Sequence, residues 1–102
     1  MTAKRIRHMV LFCLKHDQNS PETEKFLLDG KKILSSISTV ENFEVLNQTS
    51  PKNQYHFSFS MEFSGREAYD AYTVHPDHRA FVKLRWEKEV ASFLEIDLMG
   101  LF

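Results

Sequence analysis

The sequence predicts an α+β domain of order β-α-β-β-α-β, with four antiparallel strands and both helical units on one face of the sheet. Three observations carry this. Ile6–Lys15 and Tyr55–Phe63 alternate side chains at the strand period of two. Residues 21–38 and 76–93 repeat apolar residues at helical spacing. Two β-α-β units in this order fold as helices packed on a single antiparallel sheet.

The first strand carries Ile6, His8, Val10, Phe12 and Leu14 on one face and Arg7, Met9, Leu11 and Cys13 on the other. Both faces are apolar at the middle, so both are expected to be covered. Ser20-Pro21 then supplies an N-cap followed by proline at the first helical position, with Glu22 and Glu24 in the electropositive first turn. This helix is expected to reach about Ser38 and to bury Phe26, Leu27, Gly30, Ile33, Leu34 and Ile37. Phe43–Asn47 is a short strand, and a turn containing Pro51 follows. In the third strand Tyr55, Phe57, Phe59, Met61 and Phe63 share one face, opposite His56, Ser58, Ser60 and Glu62. Ser64-Gly65 ends it.

The second helical unit is broken at His75-Pro76, because proline fits the first turn of a new helix. Residues 66–73 form a short helix with Tyr69 and Tyr72 on one face. Residues 76–93 form a longer one, with His78, Phe81, Val82, Trp86, Val90 and Phe93 facing inward. Leu94, Ile96 and Leu98 alternate with Glu95 and Asp97 in a last strand.

The 102 residues form one domain, 1–102, with 42% hydrophobic and 26% charged residues. A net charge of −1 gives no electrostatic case for nucleic acid. The longest nearly apolar run, Met9–Leu14, is far short of the ~20 residues that cross a bilayer, so no membrane partner is expected. Lys4 and Arg5 before it imitate a signal peptide, but no small-residue cleavage site follows, and a cytoplasmic location is expected. The single Cys13 excludes an intramolecular disulfide. Both helices on one face leave Met9, Leu11 and Cys13 uncovered on the other, which predicts a homodimer.

Chemistry concentrates in Tyr69-Asp-Ala-Tyr72-Thr-Val-His75-Pro76-Asp-His78. An imidazole moves protons near neutral pH, and a nearby phenol orients it or polarises a carbonyl. His78 and Tyr72 are the candidate catalytic pair of a small polar pocket, with His8 on its floor. Tyr69, His75, Phe57, Phe81 and Trp86 join His8 as candidate ligand contacts. His78 reads equally as a core histidine bonded to Tyr72, and His75 as a cap before Pro76. No metal is expected: His75, Asp77 and His78 lack the two-turn spacing of a zinc site, and there is no cysteine cluster. No cofactor is implied.

Arg7-His8-Met9-Val10-Leu11-Phe12, Tyr72-x-x-His75-Pro76-x-His78, Phe81-Val82 and Phe93…Ile96-Asp97 resemble the stress-responsive dimeric α/β-barrel (Dabb) domain family over nearly the whole chain. The resemblance implies a ferredoxin-like fold and a homodimer in which two sheets pack into a barrel. Many bacterial members have no assigned activity. In plant members that act as polyketide cyclases, a histidine and a tyrosine close a linear polyketide. On the matching motif His78 is the base and Tyr72 its partner, with His8 and His75 nearby. Strand three departs from that pattern: the cyclase-like histidine is replaced by Phe57, and His56 points the other way. Two functions follow as expectations. One is a small-molecule-binding dimer without turnover; the other is a cofactor-independent cyclase, lyase or monooxygenase.

Overall fold

The computed structural model describes residues 4–102; the first three residues of the domain read over 1–102 lie outside the described part. One four-stranded antiparallel sheet runs in the order β2-β3-β1-β4. Its strands are β1 (Ile6–Leu14), β2 (Glu41–Asn47), β3 (Phe57–Phe63) and β4 (Val90–Met99). The helices are α1 (Pro21–Ser35), α2 (Arg66–Thr73) and α3 (Pro76–Phe81). A π-helical turn (Val82–Trp86) and a last α turn, α4 (Glu87–Glu89), extend α3. This is the ferredoxin-like β-α-β-β-α-β order, as expected.

β1 lies between β3 and β4, so its side chains set both registers. His8 stands opposite Met61 and Asp97, Val10 opposite Phe59 and Glu95, and Phe12 opposite Phe57 and Phe93. The even residues of β1 and the odd residues of β3 meet the helices. Phe12, Phe26, Phe59, Phe63 and Met61 are the most deeply buried side chains of that layer.

α1 starts as its sequence demands: the Ser20 hydroxyl accepts from the Thr23 N–H, and the Thr23 hydroxyl donates to the Asp17 carbonyl at 2.8 Å. Its Gly30 is required by close packing. A Cβ there would lie 2.5 Å from the Phe59 ring and 3.3 Å from that of Phe81. β2 begins earlier than expected, at Glu41, and a register shift between Glu41 and Glu44 accompanies Asn42 at φ 51°. Asparagine tolerates that left-handed conformation.

Three further boundaries differ from expectation. α1 ends at Ser35, three residues short of Ser38. β3 begins at Phe57, because the Tyr55 N–H is taken by the Asn53 side chain in the preceding turn. The last helical run ends at Glu89 rather than Phe93, so Val90 and Phe93 belong to β4. Both are apolar and continue the helical repeat, while Leu94, Ile96 and Leu98 alternate as a strand, so either period fits the junction.

The π turn corrects a second reading of that helix. Residues five apart in an α-helix stand about 140° apart around the axis, which would turn Trp86 away from Phe81. Here the Glu87 N–H reaches back to the Val82 carbonyl, one residue farther than in an α-helix. The wider turn brings both rings to Phe26, with centroids at 5.5 Å for Phe81 and 6.1 Å for Trp86.

The sheet face away from the helices is uncovered. Met9, Leu11 and Cys13 are half-buried there, and Leu94 and Leu98 are 47% and 50% exposed. Ser58 and Ser60 share that face, yet they are buried, short side chains opposite Leu11 and Met9. Among the described residues no helix is long and apolar enough to cross a membrane.

Candidate functional site

A cavity of ≈ 770 Å³ opens between the helix-side face of β1 and β4 and the α3–π-turn segment. Val10, Phe59, Met61, Phe81 and Trp86 make its apolar wall. His8, Tyr72 and His78 bring polar groups to it.

His8 is placed by strand period, two residues outside the apolar centre of β1. Its Nδ1 lies 2.6 Å from Asp97 Oδ1, across the β1–β4 register. The Tyr69 hydroxyl donates to the same carboxylate at 3.0 Å and sits 3.0 Å from His8 Nδ1. A carboxylate only accepts, so the imidazole proton belongs on Nδ1. Nε2 finds no hydrogen-bond partner among the described residues, and His8 is 6% exposed. Burial, and then the bond to Asp97, push the Tyr69 hydroxyl well above the usual phenol range. Tyr69 therefore stays a donor that steadies Asp97 from behind.

His78 comes from the second turn-to-helix junction. Pro76 opens α3, and His75 caps it, its Nδ1 accepting from the Asp77 N–H at 3.1 Å. The helical phase then lays the His78 ring on Tyr72, with centroids 4.2 Å apart. His78 Nδ1 donates to the Thr73 carbonyl at 3.2 Å, which again leaves Nε2 as the acceptor. Burial lowers the His78 pKa, partly opposed by the Thr73 carbonyl, so the ring is neutral at pH 7. Burial raises Tyr72, followed by the nearby charges of Tyr69 and Glu95. Its hydroxyl is protonated, only 4% of the residue is exposed, and no group among the described residues bonds it. Two imidazole rings and one phenol thus line one cavity. That set can accept a proton from a bound molecule while donating a hydrogen bond to its oxygen.

The structure brings His8, Tyr72, His78, Phe81 and Trp86 together around this cavity. Tyr69 stands behind it. Two expected contacts lie elsewhere. His75 is spent on capping α3, half-exposed outside the cavity. Phe57 packs on Phe12 with centroids at 5.9 Å and does not reach the lining. Two acidic residues went unassigned in the sequence. Asp97 holds His8, and Glu95 lines the cavity. Their alternation with Leu94, Ile96 and Leu98 was the available signal, since apolar residues on the uncovered face force the carboxylates to the helix side. Among the described residues no group of three or more His, Cys, Asp or Glu could hold a metal ion.

The model of the stress responsive A/B barrel domain (Dabb) matches residues 6–99, nearly the whole chain. The chain belongs to the Dabb family. A Dabb family protein with a ferredoxin-like fold from Mesorhizobium loti is similar to it, at 56% identity over 97% of this chain and 99% of that one, with a TM-score of 0.95. A dimeric ferredoxin-like protein of unknown function from Thermobifida fusca shares the fold at 23% identity, covering 96% and 92% of the two chains, with a TM-score of 0.76. So does a hydroxynitrile lyase from Passiflora edulis, at 10% identity over 95% and 94%, with a TM-score of 0.81. No curated protein matches this Dabb chain.

Proposed function

We propose that this Dabb protein works as a homodimer that binds a small, largely apolar organic molecule and moves a proton on it, with side chains alone as acid and base. The observation that carries this reading is the 2.6 Å bond from His8 Nδ1 to Asp97, which leaves Nε2 without a partner among the described residues beside a mainly apolar cavity. In this reading His8 is the base. Asp97 fixes its tautomer and steadies the imidazolium that forms. Tyr72, protonated throughout, donates to a carbonyl or hydroxyl oxygen of the bound molecule, and the neutral His78 offers a second acceptor. The motif assigned the base to His78; here a carboxylate orients His8, whereas a backbone carbonyl orients His78. That a hydroxynitrile lyase shares the fold shows only that the scaffold admits such chemistry.

The uncovered sheet face supports the dimer. Met9, Leu11, Leu94 and Leu98 on adjoining strands would remain in water in a lone chain. Pairing the same face of two copies buries them. A light-scattering mass of twice 12.0 kDa is expected at micromolar concentration, and a mass of 12.0 kDa contradicts the dimer. A cytoplasmic setting fits the lone free Cys13.

Hydrogen–deuterium exchange at the carbon next to the carbonyl of phenylacetone tests proton transfer directly. The protein is expected to accelerate exchange roughly 10²-fold or more over its His8→Gln variant. Equal rates contradict the reading.

A further inference from the structure

Glu95 takes no part in the bonds around His8, yet it lines the same cavity. It stands opposite Val10, two residues before Asp97 on the same face of β4. The other carboxylates near the core are paired: Asp97 with His8, Glu89 with His16 and Arg85, and Asp29 with Arg85. Glu95, exposed at the edge of the cavity, has no such partner among the described residues. Burial is the main cause of the raised Tyr72 pKa and the lowered His78 pKa, and the Glu95 charge adds to the first and opposes the second.

The rest of the lining sharpens the point. Glu87 and Glu95 are its only charged side chains apart from the histidines, and neither lysine nor arginine reaches it. Arg79 and Lys83 line a shallow groove outside together with Glu87, whereas no lysine or arginine shares the cavity lining with Glu95. Tyr72 is 4% exposed, and its hydroxyl has no hydrogen-bond partner among the described residues, so it is free to bond a molecule in the cavity. Trp86 and Phe93 add aromatic rings at the wall, whose faces attract cations.

We propose that the cavity selects molecules bearing a cationic nitrogen over those bearing a carboxylate, with Glu95 as the counter-charge. This rests on the reading of the cavity as a small-molecule site. A carboxylate-bearing ligand would meet an unpaired like charge with no cation to offset it, whereas an ammonium group gains an ion pair and aromatic faces together.

Three probes on one benzyl skeleton separate the claims: benzylamine, benzyl alcohol and phenylacetate, each titrated while the His8 and His78 side-chain NMR signals are followed. Benzylamine is expected to bind about tenfold more tightly than phenylacetate, the ratio given by roughly 1.4 kcal/mol. Glu95→Gln, which keeps size and polarity, is expected to remove most of that ratio and to leave benzyl alcohol binding within about twofold, since a neutral ligand forms no ion pair. Added salt is expected to shrink the ratio in the unaltered protein. Phenylacetate binding as tightly as benzylamine overturns the proposal, as does an undiminished ratio in Glu95→Gln. Binding of benzyl alcohol without preference for the amine overturns the charge selection and leaves the cavity reading standing. Failure of all three to move the histidine signals overturns both.

Discussion

His8 and Phe12 lie on one strand, on one face, four residues apart, and they do opposite work. Phe12 is wholly buried among Phe26, Phe57, Phe59 and Trp86, with ring centroids 4.9–5.9 Å away. His8 is nearly as buried, but its neighbours are Tyr69, Tyr72 and Asp97, and one of its nitrogens is left unbonded. The aromatic end gains from every contact made. At the polar end, groups that could have been bonded to each other are held apart around a space. Stability and function are therefore expected to separate along β1, a division that mutation can break or sharpen.

The largest effect belongs to the aromatic end. Phe26→Ala removes a wholly buried ring that touches α3, the π turn and the sheet, and should cost about 3–5 kcal/mol in chemical denaturation. A loss below about 1 kcal/mol would mean that this end does not hold the fold. Gly30→Ala should cost about 1–3 kcal/mol, because the new methyl meets the immobile Phe59 ring, and overpacking outweighs the gain in helix propensity. A stabilised variant would show that α1 can move off the sheet.

At the polar end the expected changes in stability are small. Tyr72→Phe deletes an unpartnered hydroxyl, so stability should change by less than about 1 kcal/mol while affinity for benzyl alcohol falls up to roughly tenfold. A large loss of stability with unchanged affinity would make Tyr72 a core residue. The same variant has a pH signature. The Tyr72 pKa is raised from 10.0, so the stability of the parent is retained below pH 10 and lost as the unfolded chain ionises above it. Tyr72→Phe should fall less steeply there. His78 gives the smallest effect and the opposite limb. Its folded pKa lies below 6.5, so the unfolded chain takes the proton first and stability declines as pH drops below 6.5. His78→Gln should flatten that decline; an unchanged slope would contradict the half-buried, neutral ring.

The aromatic end was largely legible in the sequence, because it is written in periods. Alternation in β1 and β3 named Phe12, Phe59 and Phe63, and the helical repeat named Phe26 and Phe81. The polar end was legible only in part. Tyr72 and His78 stand six residues apart around a proline, and their meeting follows from local helix geometry. The His8–Asp97 bond joins residues 89 apart in the chain, through a β1–β4 register that no local pattern encodes. The π turn escaped for a similar reason: Phe81 and Trp86 both look inward in a helical repeat, and only their shared contact with Phe26 shows that the helix must widen to let them.

The account turns on the proton of His8, and side-chain ¹⁵N NMR of the histidines at about pH 8 reads it directly. The account predicts a neutral His8 ring with the proton on Nδ1, facing Asp97, and an unprotonated Nε2 whose resonance moves when benzyl alcohol enters the cavity. A His8 ring protonated on Nε2, with no response to the ligand, would contradict it.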